Sequence, residues 1–278
     1  MCLCVTETEL TEMKRIKTGK NAIVSPPRLG YADGVLWKKT WQPEIVLALA
    51  GGILMSFFGG NLAVELLRHF RVAGFKTLDD SGSVLLATLS FHGAAIVAGV
   101  FFLKFHGIGW REISGLPTTR WPRQLLLVIV ALAAVLPAMF ALKFFSDLAL
   151  KKLGWPVEDQ RAVELILNAK SLGLKIYLGF FAVVLAPIAE EFVFRGLIFS
   201  GLKKIGWPKC AWLATSVLFA AIHASAPIFL PLFVFALALT WLYEKTEGLL
   251  APVLAHSAFN AANLALLVIA EKLGLPHS

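Results

Sequence analysis

The sequence predicts an all-α fold, a polytopic membrane helix bundle of about seven to eight transmembrane helices. Three observations predict it. The 278 residues are 58% hydrophobic and 16% charged, whereas a soluble domain is about 25% charged. Several segments exceed the ~18 apolar residues that mark a membrane span. The basic residues sit at the ends of apolar runs, as Lys38-Lys39, Lys151-Lys152 and Lys203-Lys204, where positive-inside topology places them. The net charge of +8 is thereby a matter of topology. No basic face with interleaved aromatics is present, so nucleic acid is excluded as a partner and the lipid bilayer is the expected one.

Taken in order, residues 1–43 are polar, contain Pro26 and Pro27, and lack the apolar core of a secretory signal. They read as a flexible cytoplasmic N-terminal arm. Cys2, Cys4 and Cys210 form neither a disulfide framework nor a zinc spacing. Trp37 and Trp41 flank Lys38-Lys39 as an interfacial anchor. Residues 44–171 read as accessory membrane helices. The first span is about 45–67, with Gly51-Gly52 and Gly59-Gly60 allowing close packing. The second is about 84–105 and contains His92, which as a lone helical histidine reads as a packing residue. A basic loop at 106–124 precedes a third span at about 125–145, where Pro137 is a kink site. Residues 147–171 are polar, with an apolar stripe at Val163, Ile166 and Leu167 that predicts a short surface helix.

Residues 172–270 carry the chemistry, and 271–278 form a short tail. The apolar stretch from Leu172 to Ile205 would be roughly 50 Å long as one helix, against a hydrocarbon core of ~30 Å. It must tilt, protrude or break, and Pro187, just before Glu190, is the expected kink. Three further spans follow, at about 211–224, 228–243 and 250–270. Lysine and arginine counts put the N-terminus and the turn with Lys203, Lys204 and Lys209 on the cytoplasmic side.

Three polar clusters interrupt these helices. Glu190, Glu191 and Arg195 lie within six residues, although a charge at the centre of a membrane helix costs roughly 2.5–3.5 kcal/mol on insertion scales. Glu191 and Arg195 have the i,i+4 spacing of an ion pair, whereas Glu190 is rotated away by about 100°. One carboxylate is therefore neutralised and the other is left to face a cavity, which suits general-base work on water. The turn at 206–207 lies 16 residues after Glu190 and 16 before His223, so a hairpin brings both to one depth. A histidine at a helix end can also be satisfied by a backbone carbonyl. His256, Asn260 and Asn263 fall on one helical stripe. They can serve as donors toward developing negative charge or as polar glue between helices. Straight-helix counting leaves His256 roughly 10 Å nearer the cytoplasmic side than His223.

Glu190-Glu191-x-x-x-Arg195, then Phe219-x-x-x-His223, then His256-x-x-x-Asn260, in this order on successive membrane helices, resembles the CAAX prenyl protease and bacteriocin-processing (CPBP, Abi) family. Phe194-Arg195-Gly196 and the run from Pro252 to His256 are similar in context. The resemblance covers about residues 172–270. It implies an intramembrane glutamic endopeptidase with no cofactor and no metal, in the bacterial inner membrane. Glu190 would be the general base and His223 would help hold the water. His256 and Asn260 would stabilise the oxyanion, and Glu191, Arg195 and, on the same stripe as Asn260, Asn263 would support the site. The implied substrate is a membrane-associated peptide or protein, either prenylated or of bacteriocin type. Two other readings use the same residues. A zinc-dependent membrane protease could employ the histidines and a glutamate, but no His-Glu-x-x-His motif occurs. A transporter or immunity protein could retain the polar residues without catalysis, but no internal repeat is evident.

Overall fold

The computed structural model describes residues 41–70, 72, 80–116, 119–155, 165–167, 169 and 171–273. Among them the chain is helical throughout, without a strand. Helix α1 is Pro43–His69, α2 Asp80–Phe105, the single turn α3 Trp110–Ile113, and α4 Trp121–Lys152. Helix α5, Leu172–Lys204, carries the acidic cluster. It is followed by α6 Pro208–Ile222, α7 Ala226–Thr246 and α8 Leu250–Leu273. Helices α1, α4, α5, α7 and α8 are long and apolar enough to cross a membrane. Residues Leu89–Phe105 of α2 and helix α6 form shorter apolar helices.

Most of the N-terminal arm and the end of the tail lie outside the described residues, as do Glu158, Asp159, Arg161, Val163 and Glu164 of the polar segment. Of the surface helix expected there, a helical turn at residues 165–167 is described. The third span differs from its expected end at 145. Helix α4 runs on to Lys152 through Pro137, with Asp147 paired to Lys143 one turn back. Lys151 and Lys152 occupy its last turn, where cations complement the unpaired carbonyls.

Helix α5 does not divide in two. It remains continuous but changes its winding on both sides of Glu190-Glu191. Residues Phe181–Leu185 and Phe192–Phe199 are π-helical, flanking an α-helical turn at Ala186–Glu191. Pro187 cannot donate to the helix ladder, and the wider π-turn upstream accommodates the missing bond. From Glu190 to Gly201 every residue of α5 is buried, so the acidic cluster sits at the protein's centre.

Helix α2 lies against α5 along one stripe. Ala95 is fully buried, and a Cβ at Gly99 would press on the Phe192 ring. One turn further, the Phe102 ring meets Phe192 edge-on, centroids 6.2 Å apart. Small residues at this spacing let two membrane helices approach closely. Helix α8 is fixed at its start, because the Leu249 amide donates to the Ile113 carbonyl at 2.8 Å. Gly115, in the left-handed region at φ 78°, leaves no room for a Cβ on either itself or Gly248. Finally, the Lys204 ammonium lies 4.2 Å from the centroid of the Trp41 ring. The start of α1 and the end of α5 are therefore on the same side of the bundle.

Candidate active site

Glu191 and Arg195 are fully buried one turn apart. Arg195 Nη1 lies 3.0 Å from both Glu191 carboxylate oxygens. Its Nη2 donates to the Ala236 carbonyl of α7 at 2.9 Å, and its guanidinium carbon stands 4.9 Å from the Phe219 ring centroid. His256 Nδ1 meets Glu191 Oε1 at 2.8 Å. The pair is thus cross-braced to α6, α7 and α8, which offsets the cost of burying it in a low dielectric, although Arg195 Nε and Glu191 Oε2 make no hydrogen bond. The His256 ring is wedged between Phe219 and Phe235, each centroid 5.7 Å away. The depth offset from straight-helix counting does not keep His256 from the acidic helix; the π-turns at Phe192–Phe199 place more residues in each turn and so remove part of it.

Glu190 points elsewhere, as its 100° rotation requires. Its Oε1 is 3.3 Å from His92 Nε2 on α2. Its Oε2 is buried and accepts no hydrogen bond from the described residues. That oxygen lies 4.0 Å from His256 Nε2, a separation at which one water can touch both atoms at about 2.8 Å. His256 is therefore bifunctional in position, with Nδ1 on Glu191 and Nε2 facing Glu190.

His223 caps the C-terminus of α6. Its Nδ1 is 2.7 Å from the Phe219 carbonyl. Donation there makes Nδ1 the protonated nitrogen and leaves the Nε2 lone pair available. The helix stops here because the next residue, Ala224, adopts a left-handed conformation, φ 49°. The backbone carbonyl expected as the alternative partner of His223 thus satisfies one of its nitrogens.

Asn260 donates through Nδ2 to the Ala182 carbonyl at 2.8 Å. That carbonyl lies five residues before Pro187, in the first π-stretch. In π register it would accept from residue 187, which has no N–H. The amide of Asn260 supplies the donor that Pro187 lacks. Asn263 is exposed, outside the buried cluster. Among the described residues no three His, Cys, Asp or Glu side chains are grouped to hold a metal ion.

His92, expected as a hydrogen-bonded packing residue, has Glu190 as the partner that the sequence did not name. It is buried and held edge-on between the rings of Phe91 and Phe181, centroids 4.9 and 4.8 Å away. One signal was available: His92, Ala95 and Gly99 share a helical face at i, i+3 and i+7, a small-residue stripe with a histidine at its end.

Part of the chain is similar to known proteins. Residues 172–262 match the family model described as type II CAAX prenyl endopeptidase Rce1-like. UPF0177 protein YxdF of Lactococcus lactis subsp. lactis (strain IL1403) is 32% identical over 78 residues, 28% of this chain. The match spans 42% of that relative's length. No solved structure matches the chain significantly. The matched residues contain all three polar motifs and every contact of the site except those made by His92. Over residues 172–262 the chain is thus similar to the Rce1-like type II CAAX prenyl endopeptidases.

Proposed function

We propose that the chain is an intramembrane endopeptidase in which Glu190 activates water to hydrolyse a peptide bond of a membrane-associated substrate. The observation that carries this reading is Glu190 Oε2, a buried carboxylate oxygen without a protein donor, facing His256 Nε2 across 4.0 Å. Water between them gives its proton to Oε2 while its oxygen attacks the scissile carbonyl carbon. The resulting oxyanion is met by donors preorganised in a site closed to bulk water. His256 supplies one when Nε2 is protonated. Asn260 supplies another through the amide hydrogen not given to Ala182. Glu190 then passes its proton to the leaving nitrogen as the C–N bond breaks. His223, with Nε2 unprotonated, helps orient the water. Glu191 and Arg195 hold His256 in register, and Asn263 supports the same helix from outside the cluster.

The reading uses no cofactor and no metal. Its substrate is a lipid-anchored peptide, with a prenylated C-terminus or a bacteriocin-type leader as the two candidates. The N-terminus and the Lys203-Lys204 end of α5 face the cytoplasm, in the bacterial inner membrane. The test is a cleavage screen with purified protein in lipid nanodiscs, offering farnesylated, unmodified and leader-type peptides, with and without chelator. Cleavage that survives chelation, in protein without stoichiometric zinc, is the expected result. Stoichiometric zinc, with activity lost on chelation and restored by zinc, would overturn the metal-free mechanism.

A further inference from the structure

The neighbour of Glu190 Oε1 comes from outside the matched residues. His92 belongs to α2, whereas the family match begins at residue 172. We infer that His92 is a positioning residue for Glu190, holding one carboxylate oxygen so that the other faces the water site. The inference rests on reading Glu190 as the general base.

The geometry divides the carboxylate into two unequal oxygens. Oε1 lies 3.3 Å from His92 Nε2, and Oε2 has no hydrogen-bond donor among the described residues. A carboxylate with one oxygen held cannot turn freely about its terminal torsion, which is otherwise broad and nearly two-fold. The free oxygen therefore stays toward His256. His92 is itself immobilised. The Phe91 and Phe181 rings clamp its imidazole edge-on. Ala95 and Gly99, on the same face of α2, admit α5 at close range. Phe181 also opens the first π-stretch, so the winding that places Glu190 also places one wall of the clamp.

A hydrogen-bonding histidine deep in an apolar bundle has an equally plain structural use, as glue between α2 and α5. The two uses separate experimentally. His92→Phe fills the space without a donor. His92→Gln retains an N–H that can reach Oε1. The first measurement is thermal unfolding of purified His92→Phe, Glu190→Ala (which removes the acceptor altogether) and the double variant in nanodiscs. The two Tm changes should be non-additive, the double variant falling little further than the worse single one. Simple additivity would overturn the contact.

The second measurement is steady-state cleavage of a peptide that the wild-type protein cuts. His92→Phe should lower kcat by about 10- to 100-fold with KM within a few-fold of wild type, the size of effect expected from misplacing a reacting group by about 1 Å. His92→Gln should recover most of that loss. Wild-type kcat in His92→Phe would overturn the positioning role. So would an equal loss in His92→Gln. Glu190→Gln, assayed alongside, keeps the two claims apart. If it cleaves at the wild-type rate, the general-base reading fails. If it is inactive while His92→Phe is unimpaired, only the role of His92 fails.

Discussion

At the scale of single residues, two adjacent glutamates have opposite situations. Glu191 is locked into an ion pair with Arg195 and a hydrogen bond with His256. Glu190 and Glu191 each keep one oxygen without a hydrogen-bond donor, but that of Glu191 lies 3.0 Å from the Arg195 guanidinium and that of Glu190 faces His256 Nε2 at 4.0 Å. The i,i+4 spacing is sufficient to read the Glu191–Arg195 pair from sequence, because it depends only on helical geometry. That His256 Nδ1 would engage Glu191 was not legible, since it depends on how α8 is set against α5. Removing Glu191 leaves Arg195 buried without a counter-charge. Glu191→Ala should therefore destabilise the folded protein by about 3–5 kcal/mol, read as a lower midpoint in denaturant unfolding in detergent. Glu191→Gln, which keeps a hydrogen-bond acceptor for Arg195, should lose less. Equal stability of Glu191→Ala and wild type would show that the pair is not the brace described here.

At the scale of elements, the apolar runs made the long helices legible, and Pro187 marked where α5 would depart from regularity. The form of that departure was not legible. A proline can be accommodated by a break, a sharp kink or a π-turn, and the choice is made by neighbouring helices that offer or withhold donors. Here the donor is Asn260 on α8, which bonds the Ala182 carbonyl. The stripe of His256, Asn260 and Asn263 predicted a shared face. Burial separates its members, with His256 on Glu191, Asn260 on α5 and Asn263 exposed. Asn260→Ala should leave the Ala182 carbonyl unsatisfied and cost about 1–3 kcal/mol. Pro187→Ala restores a backbone N–H and should return part of that stability in the double variant. Activity should remain low in the double variant if Asn260 also serves the oxyanion. A double variant no more stable than Asn260→Ala alone would contradict the substitution of side-chain donor for backbone donor.

At the scale of the whole molecule, membrane character was legible from composition, because no soluble chain hides so much apolar sequence with so few charges. The partner of His92 escaped for a related reason. The contact of His92 with Glu190 joins residues 98 positions apart, and one histidine offers no spacing from which to infer a partner. Charge placement predicts the side of the membrane, and the packing of Lys204 on Trp41 puts the start of α1 and the end of α5 at one end of the bundle. Cys210, exposed at the start of α6, lies at the same end. In a variant lacking Cys2 and Cys4, an impermeant thiol reagent should label Cys210 in inverted vesicles and not in intact cells. The reverse pattern would place this end outside. The central claim concerns the chemistry at Glu190, and its most direct measurement is the single-turnover cleavage rate of Glu190→Gln beside wild type, in nanodiscs, with equal thermal stability verified. The amide matches the carboxylate in size but cannot take the water's proton, so the rate should fall by at least about 100-fold. Cleavage by Glu190→Gln at the wild-type rate would contradict the account.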